Sequence, residues 1–344
     1  MKKAILHGPK DLRIETLESP NMNLNPDDLY IKTEISAFKI GTDRGNYEGA
    51  EVVPGANHYP RGVGDSNLGR IEKIGSNVKN FKIGDRVVTR AEHQSEYIYN
   101  QNASIVKVPE NVDSEDAVFC HLYTLSAQCY RKANFTPGEN VAIIGVGVLG
   151  LGAIALGPLF GARTIAIANS EIRLEMAKKM GAHAGFLSDD KDLNLKLEEF
   201  TNKQGVDLVI LTANPWPAYK TSVDIVRPGG RVSIVSLLGR GEKKLDFNPL
   251  ELDTFYGKGI HLVAVNGESA YLYPHGRTER HEDKGDRFSW NNLCDYVLAL
   301  MSDGNLEPKK LITHRLDYTD ISQAYDMAFE RNKNMLGVIF KWNT

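Results

Sequence analysis

The feature that most constrains the fold is a glycine-rich segment that directly follows four apolar residues. Residues 141–144 (Val-Ala-Ile-Ile) lead into Gly-x-Gly-x-x-Gly at Gly145, Gly147 and Gly150, and an Ala/Leu-rich helical pattern comes next. Such an order predicts a buried strand, a tight turn and a helix N-terminus. Gly145 would permit the turn, Gly147 would let a pyrophosphate approach the backbone, and Gly150 would let the helix pack on the sheet. With a second strand at 163–168, the segment predicts a dinucleotide site; a plain strand–turn–helix is the alternative.

Bulk properties point to an ordinary two-domain globular protein. The 344 residues suit two domains of about 150 residues each. A net charge of -3 gives no electrostatic reason to expect nucleic acid or a membrane surface as a partner. No apolar run is long enough for a transmembrane helix or a signal peptide. Cys120, Cys129 and Cys294 form neither a disulfide framework nor a C-x-x-C zinc motif, so we expect a reducing cytoplasm.

The character of the sequence changes once along the chain. Residues 1–121 are mostly β in pattern, with glycine, proline and asparagine clusters between strands, which predicts a small barrel-like β domain. From about Ser114, apolar β-rich runs alternate with helical patterns, as in a parallel sheet covered on both faces. The predicted strands are 29–36, 68–74, 86–89, 95–99, 141–144, 164–168, 208–211, 232–235 and 260–265. A polar loop (269–287), a helix (290–301) and a tail with a strand, a helix near 321–329 and a strand at 336–340 complete the pattern.

The order of β domain, nucleotide domain and C-terminal return resembles the medium-chain dehydrogenase/reductase superfamily. Its landmarks here are Gly-Thr-Asp at 41–43, then segments 60–69, 71–75, 84–87, 96–97, 137–141, 145–150, 173–182, 228–231 and 312–314. The resemblance implies an α/β protein with a Rossmann doubly wound parallel sheet and a GroES-like, β-barrel-type catalytic domain. Residues 1–121 and 286–344 would form the catalytic domain, and residues 122–285 the dinucleotide-binding domain. It also implies an NAD(P)-dependent oxidoreductase.

Within the superfamily, the chain is more similar to the zinc-independent branch that includes bacteriochlorophyllide dehydrogenase-like proteins. This similarity is carried by 36–43, by Tyr59-Pro60 and by the late helix at Arg287…Trp290 that leads into 311–315. Asp43 stands where that branch usually has Glu, and Lys39-Ile40 stands where it has small polar residues. These departures leave the substrate open.

The zinc ligands of the metal-dependent members are missing. Ile40 and Asp65 occupy the first two ligand positions, and the third falls near His121. An isoleucine cannot bind zinc, and a catalytic zinc needs about three protein ligands, so Asp65 and His121 alone leave it one short. Residues 90–94 stand where a four-cysteine structural zinc lobe would be. The sequence therefore predicts no metal.

Without a metal, hydrogen-bond donors or a general acid must stabilise the substrate oxygen. Thr42 occupies the family's proton-relay position, although a threonine there could simply cap a helix. His121 is the predicted acid/base, and Asp65 would orient it or the substrate hydroxyls. The alternative for His121 is a packed histidine bonded to backbone. Lys39 and Tyr47 are further candidate donors, of types more often found at the surface.

The choice of cofactor depends on the end of the second strand, where NAD users place a carboxylate on the ribose hydroxyls. Here the uncharged Asn169 would not repel a 2′-phosphate, and Ser170 and Arg173 could donate to it. This favours NADP(H) over NAD(H), with Glu171 as a possible ribose acceptor in the opposite case. The predicted cofactor contacts are Gly145, Gly147, Val148, Leu149, Gly150, Asn169, Ser170, Arg173 and Thr212.

The leading prediction is interconversion of a secondary alcohol and a ketone on a small polar molecule such as a sugar, a cyclitol or a natural-product intermediate. One alternative is an NADPH-dependent quinone or enoyl (C=C) reductase, and another is a non-catalytic nucleotide-binding subunit. The basic loop Ser269–Arg287 would suit an anionic substrate, or is a solvated loop with balanced charge. Trp216 either flanks the nicotinamide or packs in the core. The strand 260–265 predicts a homodimer formed through an exposed sheet edge.

Overall fold

The computed structural model describes residues 1–50, 58–266 and 290–342. The chain divides into two compact units: unit 1 comprises residues 1–124 and 268–344, and unit 2 comprises residues 125–267. The predicted boundary at 285/286 lies outside the described residues. Over the ranges that the structure describes, no helix has both the length and the apolar character needed to cross a bilayer.

Helices and strands follow one another in three stretches of the chain. The first contains β1 (Lys2–Gly8), β2 (Asp11–Thr16), β3 (Asp28–Ala37), α1 (Ile40–Glu48), β4 (Arg61–Gly62), β5 (Asn67–Ile74), β6 (Arg86–Thr89), β7 (Glu96–Asn100), β8 (Ile105–Lys107) and α2 (Ser114–Ala117). The second contains α3 (Cys120–Lys132), β9 (Asn140–Ile144), α4 (Val148–Phe160), β10 (Arg163–Ala168), α5 (Glu171–Lys179), β11 (Ala184–Leu187), α6 (Leu193–Phe200), β12 (Val206–Leu211), α7 (Trp216–Ile225), β13 (Val226–Ile234) and β14 (His261–Ala264). The last contains α8 (Trp290–Ser302), β15 (Ile312–Asp317), α9 (Ile321–Phe329) and β16 (Gly337–Lys341).

Unit 1 is built on two sheets. Six strands of the larger sheet lie in the order β15-β16-β3-β5-β6-β8, with β7 also paired to β3, and the smaller sheet has the order β2-β1-β4. Alternate residues of β3, including Leu29 and Ile31, are buried in one apolar cluster. A second cluster joins α9 and β16 to the first strand, through side chains such as Leu6, Tyr325 and Phe340. The β-rich character expected for the N-terminal part is therefore confirmed.

Unit 2 is a six-stranded parallel sheet with the order β11-β10-β9-β12-β13-β14. This is the Rossmann order. From β9 the chain adds β10 and β11 on one side, then crosses back and adds β12, β13 and β14 on the other side of β9. All five residues of β9 are buried, as expected for a central strand covered on both faces. The sheet confirms the predicted α/β fold class. The edge strand β14 is the last in the order, and two of its four residues, His261 and Ala264, are exposed.

Candidate active site

The glycine segment of unit 2 forms the turn that its sequence predicts. Gly145 has φ +97°, in the left-handed region, and a Cβ added there would lie 2.6 Å from the Thr212 hydroxyl. A Cβ on Gly150 would collide with the Gly145 carbonyl oxygen, whereas Gly147 faces open space. Gly147 is the N-cap of α4, and Val148, Leu149 and Gly150 form the first turn of the helix. The amides of a first turn have no acceptor within their helix, so this turn is suited to hold an anion.

Two side chains brace the glycine turn. The Thr212 hydroxyl donates to the Gly145 carbonyl oxygen over 2.6 Å. The Arg173 guanidinium donates from Nη1 to the Val146 carbonyl oxygen, also over 2.6 Å. Burial lowers the pKa of Arg173 from its usual value. Thr212 and Arg173 therefore contact the loop predicted to hold the cofactor, and their predicted contacts to the cofactor itself stay predictions.

The end of β10 carries no carboxylate. The strand ends at Ala168, followed by an exposed Asn169 and by Ser170, the N-cap of α5. The Ser170 Oγ is buried and has no hydrogen-bond partner within the described chain, and it does not cap α5. A buried hydroxyl without a partner is uncommon and points to a missing ligand group or water. Ser170 at the N-cap of α5 and Arg173 in the first turn of this helix thus carry donor groups at the end of β10.

The second group of predicted residues lies in unit 1 and centres on Asp65. Its Oδ2 contacts the Lys39 ammonium and lies 3.8 Å from Nη2 of Arg90. Burial alone would raise the pKa of Asp65, but the Lys39 and Arg90 charges, with a smaller contribution from His121, leave it lowered. Asp65 is therefore an ionised carboxylate with a fixed cationic partner.

The His121 ring is held by a side chain of α8 and not, as in the alternative interpretation, by a backbone group. Only 3% of the residue is exposed, and its Nδ1 accepts a hydrogen bond of 3.0 Å from the Trp290 indole N–H. The two rings are stacked with an interplanar angle of 10°. Because Nδ1 is an acceptor, the neutral ring carries its proton on Nε2. Nε2 is buried and lacks a partner among the residues that the structure describes.

Thr42 is the third residue of α1, which begins after Lys39. It is therefore not the helix N-cap, and the capping alternative for Thr42 is wrong; the helix start is held by Asp43, whose Oδ2 accepts from the Lys39 backbone N–H over 3.0 Å. Burial, and next the nearby Asp65 charge, raise the pKa of Asp43 to about 7. Tyr47, a further candidate donor from the sequence, packs in a buried cluster of unit 1. Its hydroxyl proton is engaged by Asp326, to which it donates over 2.6 Å.

Three further residues belong to the Asp65 group although the sequence did not single them out as site residues. They are Asp43, Arg90 and Trp290, and Arg90 lies over the Trp290 ring with 6.0 Å between the guanidinium carbon and the ring centroid. Nothing in the local sequence pattern marks Arg90 or Trp290, because each meets its partner through tertiary packing. For Asp43, an acidic side chain in the first turn of a helix was a usable signal.

The residues at the expected zinc position do not fit the metal. Ile40 has no donor atom, the Asp65 carboxylate is held by Lys39, and the Nδ1 of His121 is engaged by Trp290. Within residues 1–50, 58–266 and 290–342, no three His, Cys, Asp or Glu side chains are grouped so that they could hold a metal ion. An ammonium ion in contact with Asp65 would also repel a divalent cation.

Two other candidate features have different outcomes. Trp216 begins α7 and packs against the unit 2 core, with its ring 6.1 Å from Tyr219 and 6.2 Å from Phe247 between centroids. These contacts favour the core interpretation. The basic loop Ser269–Arg287 lies outside the described residues.

Comparison with known proteins agrees with these two units. The Alcohol dehydrogenase GroES-like domain matches residues 25–130, and the Zinc-binding dehydrogenase family matches residues 148–273. Sorbitol dehydrogenase of Bacillus subtilis is 28% identical over 306 residues, covering 77% of this chain and 86% of that protein. L-threonine 3-dehydrogenase of Escherichia coli is 25% identical over 354 residues, covering 94% and 95%.

Solved structures show the same fold over nearly the whole chain. Galactitol-1-phosphate dehydrogenase from Escherichia coli has a TM-score of 0.81 at 19% identity, covering 99% of this chain and all of that one (100%). The 2R,3R-butanediol dehydrogenase from Bacillus subtilis has a TM-score of 0.80 at 20% identity, with 99% of each chain covered. These likenesses show the fold, and the family matches together with the curated relatives identify an oxidoreductase enzyme. The chain belongs to the medium-chain dehydrogenase/reductase superfamily.

Proposed function

We propose that the chain is a zinc-independent, NADP(H)-dependent oxidoreductase that interconverts a secondary alcohol and a ketone on a small polar substrate. The observation that carries this proposal is the buried His121, whose Nε2 has no partner in the described part of the chain and which interacts electrostatically with the ionised Asp65. The named relatives act on sorbitol, threonine, butanediol or galactitol 1-phosphate, which are all polar alcohols.

Unit 2 would hold the cofactor, with Gly147 and the first turn of α4 at the pyrophosphate and Thr212 bracing the turn. When bound, the nicotinamide supplies a hydride to the substrate carbon or accepts one from it. In ketone reduction, the carbonyl electron pair moves to oxygen as the hydride arrives, and the Nε2–H of His121 donates a hydrogen bond to that oxygen. Because Nδ1 accepts from Trp290 and Nε2 carries the proton, His121 has no free lone pair, so it holds the oxygen rather than serving as the predicted acid/base. Thr42 is proposed as the relay that brings the alcohol proton from solvent and returns it there in alcohol oxidation, and Asp65 orients the substrate hydroxyls.

The preference for NADP(H) is supported by the groups at the end of β10. Asn169 brings no negative charge, and Ser170 and Arg173 offer donors to a 2′-phosphate. Glu171, which would be the ribose acceptor if the cofactor were NAD(H), is the first residue of α5 and is exposed.

Steady-state assays with NADP⁺ and a panel of D-sorbitol, L-threonine, 2R,3R-butanediol and galactitol 1-phosphate test the activity. We expect turnover of at least one alcohol, unchanged by 1,10-phenanthroline and with no stoichiometric zinc by elemental analysis. Reduction of quinones or enones with no alcohol oxidised would instead indicate the C=C reductase. Tight NADPH binding without hydride transfer to any substrate would indicate a non-catalytic subunit.

His121→Asn tests the Nε2–H donor, because the asparagine Oδ1 can still accept from Trp290 while Nε2 is removed. We expect kcat to fall roughly 10²–10³-fold, the usual range for loss of an oxyanion donor, with NADPH affinity unchanged. His314→Gln, at a partly exposed histidine of β15, is the matched control. Unchanged turnover in His121→Asn, or in a variant with both His121 and Asp65 replaced by alanine, would reject this site.

We also propose a homodimer in which β14 meets its counterpart, and a cytoplasmic location. The edge strand has exposed residues at both ends, and pairing would satisfy its open edge. The three free, buried thiols are typical of a reducing compartment.

A further inference from the structure

We propose that Lys39 is a catalytic residue whose ammonium ion holds the substrate oxygen, so that a fixed organic cation performs the electrostatic task that zinc performs in metal-dependent relatives. This inference depends on the proposed function and adds a residue to its mechanism. It is based on the contact between the Lys39 ammonium and Asp65 at the expected zinc position, and not only on the loss of the zinc ligands.

The first step of the argument is the placement of Lys39. It directly precedes Ile40 in the sequence, and its Nζ contacts Asp65, so the ammonium ion lies against the side chain that stands at the second zinc-ligand position of metal-dependent members. The two residues are 26 positions apart in the sequence, and the contact is made only by the fold. A carboxylate that would otherwise bind a metal therefore binds a cation supplied by the chain.

The second step is that Lys39 retains donor capacity. An ammonium group has three N–H donors, and within the described chain the Nζ contacts Asp65 alone. The side chain is 18% exposed, so the remaining N–H groups have limited access to solvent. Arg90 lies 3.8 Å from the same Asp65 oxygen, so the carboxylate does not depend on Lys39 alone for neutralisation. Positive charge is thus left for a second anion.

The third step is that Lys39 is held in place from its backbone. Its N–H donates to Asp43 Oδ2 over 3.0 Å, and its carbonyl accepts from the Asp43 N–H over 2.9 Å. Asp43 is itself buried and bonded to the Tyr325 hydroxyl over 3.2 Å. A charge fixed before the substrate arrives costs no reorganisation when the reaction occurs, which is the condition for effective stabilisation of a developing oxyanion.

Lys39 and His121 then act on the same oxygen. As the hydride reaches the carbonyl carbon, the carbon–oxygen π pair becomes a lone pair on oxygen, and the Lys39 ammonium donates a hydrogen bond to that oxygen without losing its proton. The His121 Nε2–H donates a second hydrogen bond to the same oxygen, and the proton that completes the alcohol arrives from solvent through the Thr42 hydroxyl. In the reverse direction the hydroxyl proton leaves through Thr42 while Lys39 stabilises the alkoxide, so charge and atoms balance in both directions.

The test measures kcat and KM with NADP⁺ and the four alcohols D-sorbitol, L-threonine, 2R,3R-butanediol and galactitol 1-phosphate. For Lys39→Met, which keeps the length of the chain and removes its charge, we expect kcat to fall by about 100-fold or more, as when an oxyanion donor is lost. The KM for NADP⁺ should stay within about twofold, because the change affects the transition state. Lys39→Arg should retain more activity than Lys39→Met. Lys32→Met, at an exposed lysine of β3, is the control.

A chemical rescue protects the test against misfolding. Lys39→Cys should be inactive, and alkylation with 2-bromoethylamine should restore activity by creating a thioether analogue of lysine. The native cysteines Cys120, Cys129 and Cys294 are buried, so wild-type protein treated in the same way is the matched control. Rescue would support an ammonium ion at this position, and a merely structural substitution would not be reversed by adding the charge after folding.

The outcomes separate the two proposals. If the wild-type protein oxidises an alcohol and Lys39→Met keeps the full kcat, the role of Lys39 is overturned and the proposed function stands. Absence of any alcohol oxidation by the wild-type protein overturns the proposed function, and the inference falls with it. Loss of activity in Lys39→Cys without recovery on alkylation, when the variant keeps NADPH affinity, also contradicts the proposal.

Discussion

Asp43 shows how a single buried carboxyl couples the site to the stability of unit 1. Its pKa is raised from 3.8 to about 7, chiefly by burial. The folded protein therefore binds this proton more tightly than the unfolded chain does, so Asp43 makes the folded state progressively less stable as the pH rises from about 4 to about 7. Neutralising this side chain should remove that dependence.

We predict that Asp43→Asn is more stable than the wild-type protein at pH 8, by roughly 2–4 kcal/mol as an upper range for a shift of this size. The asparagine oxygen can still accept the Lys39 backbone N–H. Urea denaturation between pH 4.5 and 8 measures the difference, with exposed Asp303→Asn as the control. An unchanged pH slope in Asp43→Asn would show that this carboxyl is not the source.

Arg173 is the residue that should decide nucleotide preference. If its guanidinium contacts a 2′-phosphate, Arg173→Gln should weaken NADPH binding by about 10–100-fold, the value of a charge-assisted hydrogen bond, and change NADH binding little. Calorimetric titration with both nucleotides measures the ratio, and exposed Lys178→Gln on the same helix is the control. Equal loss for both nucleotides would mean that Arg173 only braces the glycine turn through Val146.

At the scale of elements, β9, the glycine turn and α4 could be predicted from the sequence because their signals are local. A buried run, three spaced glycines and a helical pattern each lie within about one turn of the residues that they control. The strands β1, β2, β4, β8 and β11 were missed. Only two residues of β1, Ala4 and Leu6, are deeply buried, so its alternation is short. The contacts of the candidate site could not be predicted from the sequence. His121 contacts Trp290, which lies 169 residues further along the chain, and no local pattern indicates such a pair.

The glycines of the turn predict two different defects. A Cβ at Gly147 meets nothing within 4 Å, and its φ of -99° suits any residue, so Gly147→Ala should fold normally and lose nucleotide affinity because the methyl group occupies the approach of the pyrophosphate. A Cβ at Gly150 collides with the Gly145 carbonyl, so Gly150→Ala should lower the free energy of unfolding by about 2 kcal/mol or more. Thermal melts with and without NADPH separate the two. Normal NADPH affinity in Gly147→Ala would contradict the assignment of this turn.

At the scale of the whole molecule, the proposed dimer depends on the edge of the unit 2 sheet at β14, which pairs with no further strand among the described residues. His261 and Ala264 are the exposed residues of β14, so lysines there should leave the unit folded and repel a second edge. Light scattering should give twice 38.2 kDa for the wild-type chain and 38.2 kDa for the double variant His261→Lys/Ala264→Lys. A wild-type mass near that of one chain would contradict the dimer.

The position of β16 has a consequence for synthesis of the protein. β16 lies between β15 and β3, and Trp342 donates to the Ser36 hydroxyl from 306 residues further along the chain. A ribosome releases β3 long before it releases the strand that covers part of its edge, whereas residues 125–267 emerge as one continuous block. We therefore expect unit 2 to mature first on the ribosome, while the nascent N-terminal sheet keeps an unpaired edge and depends on chaperones until β16 has been released.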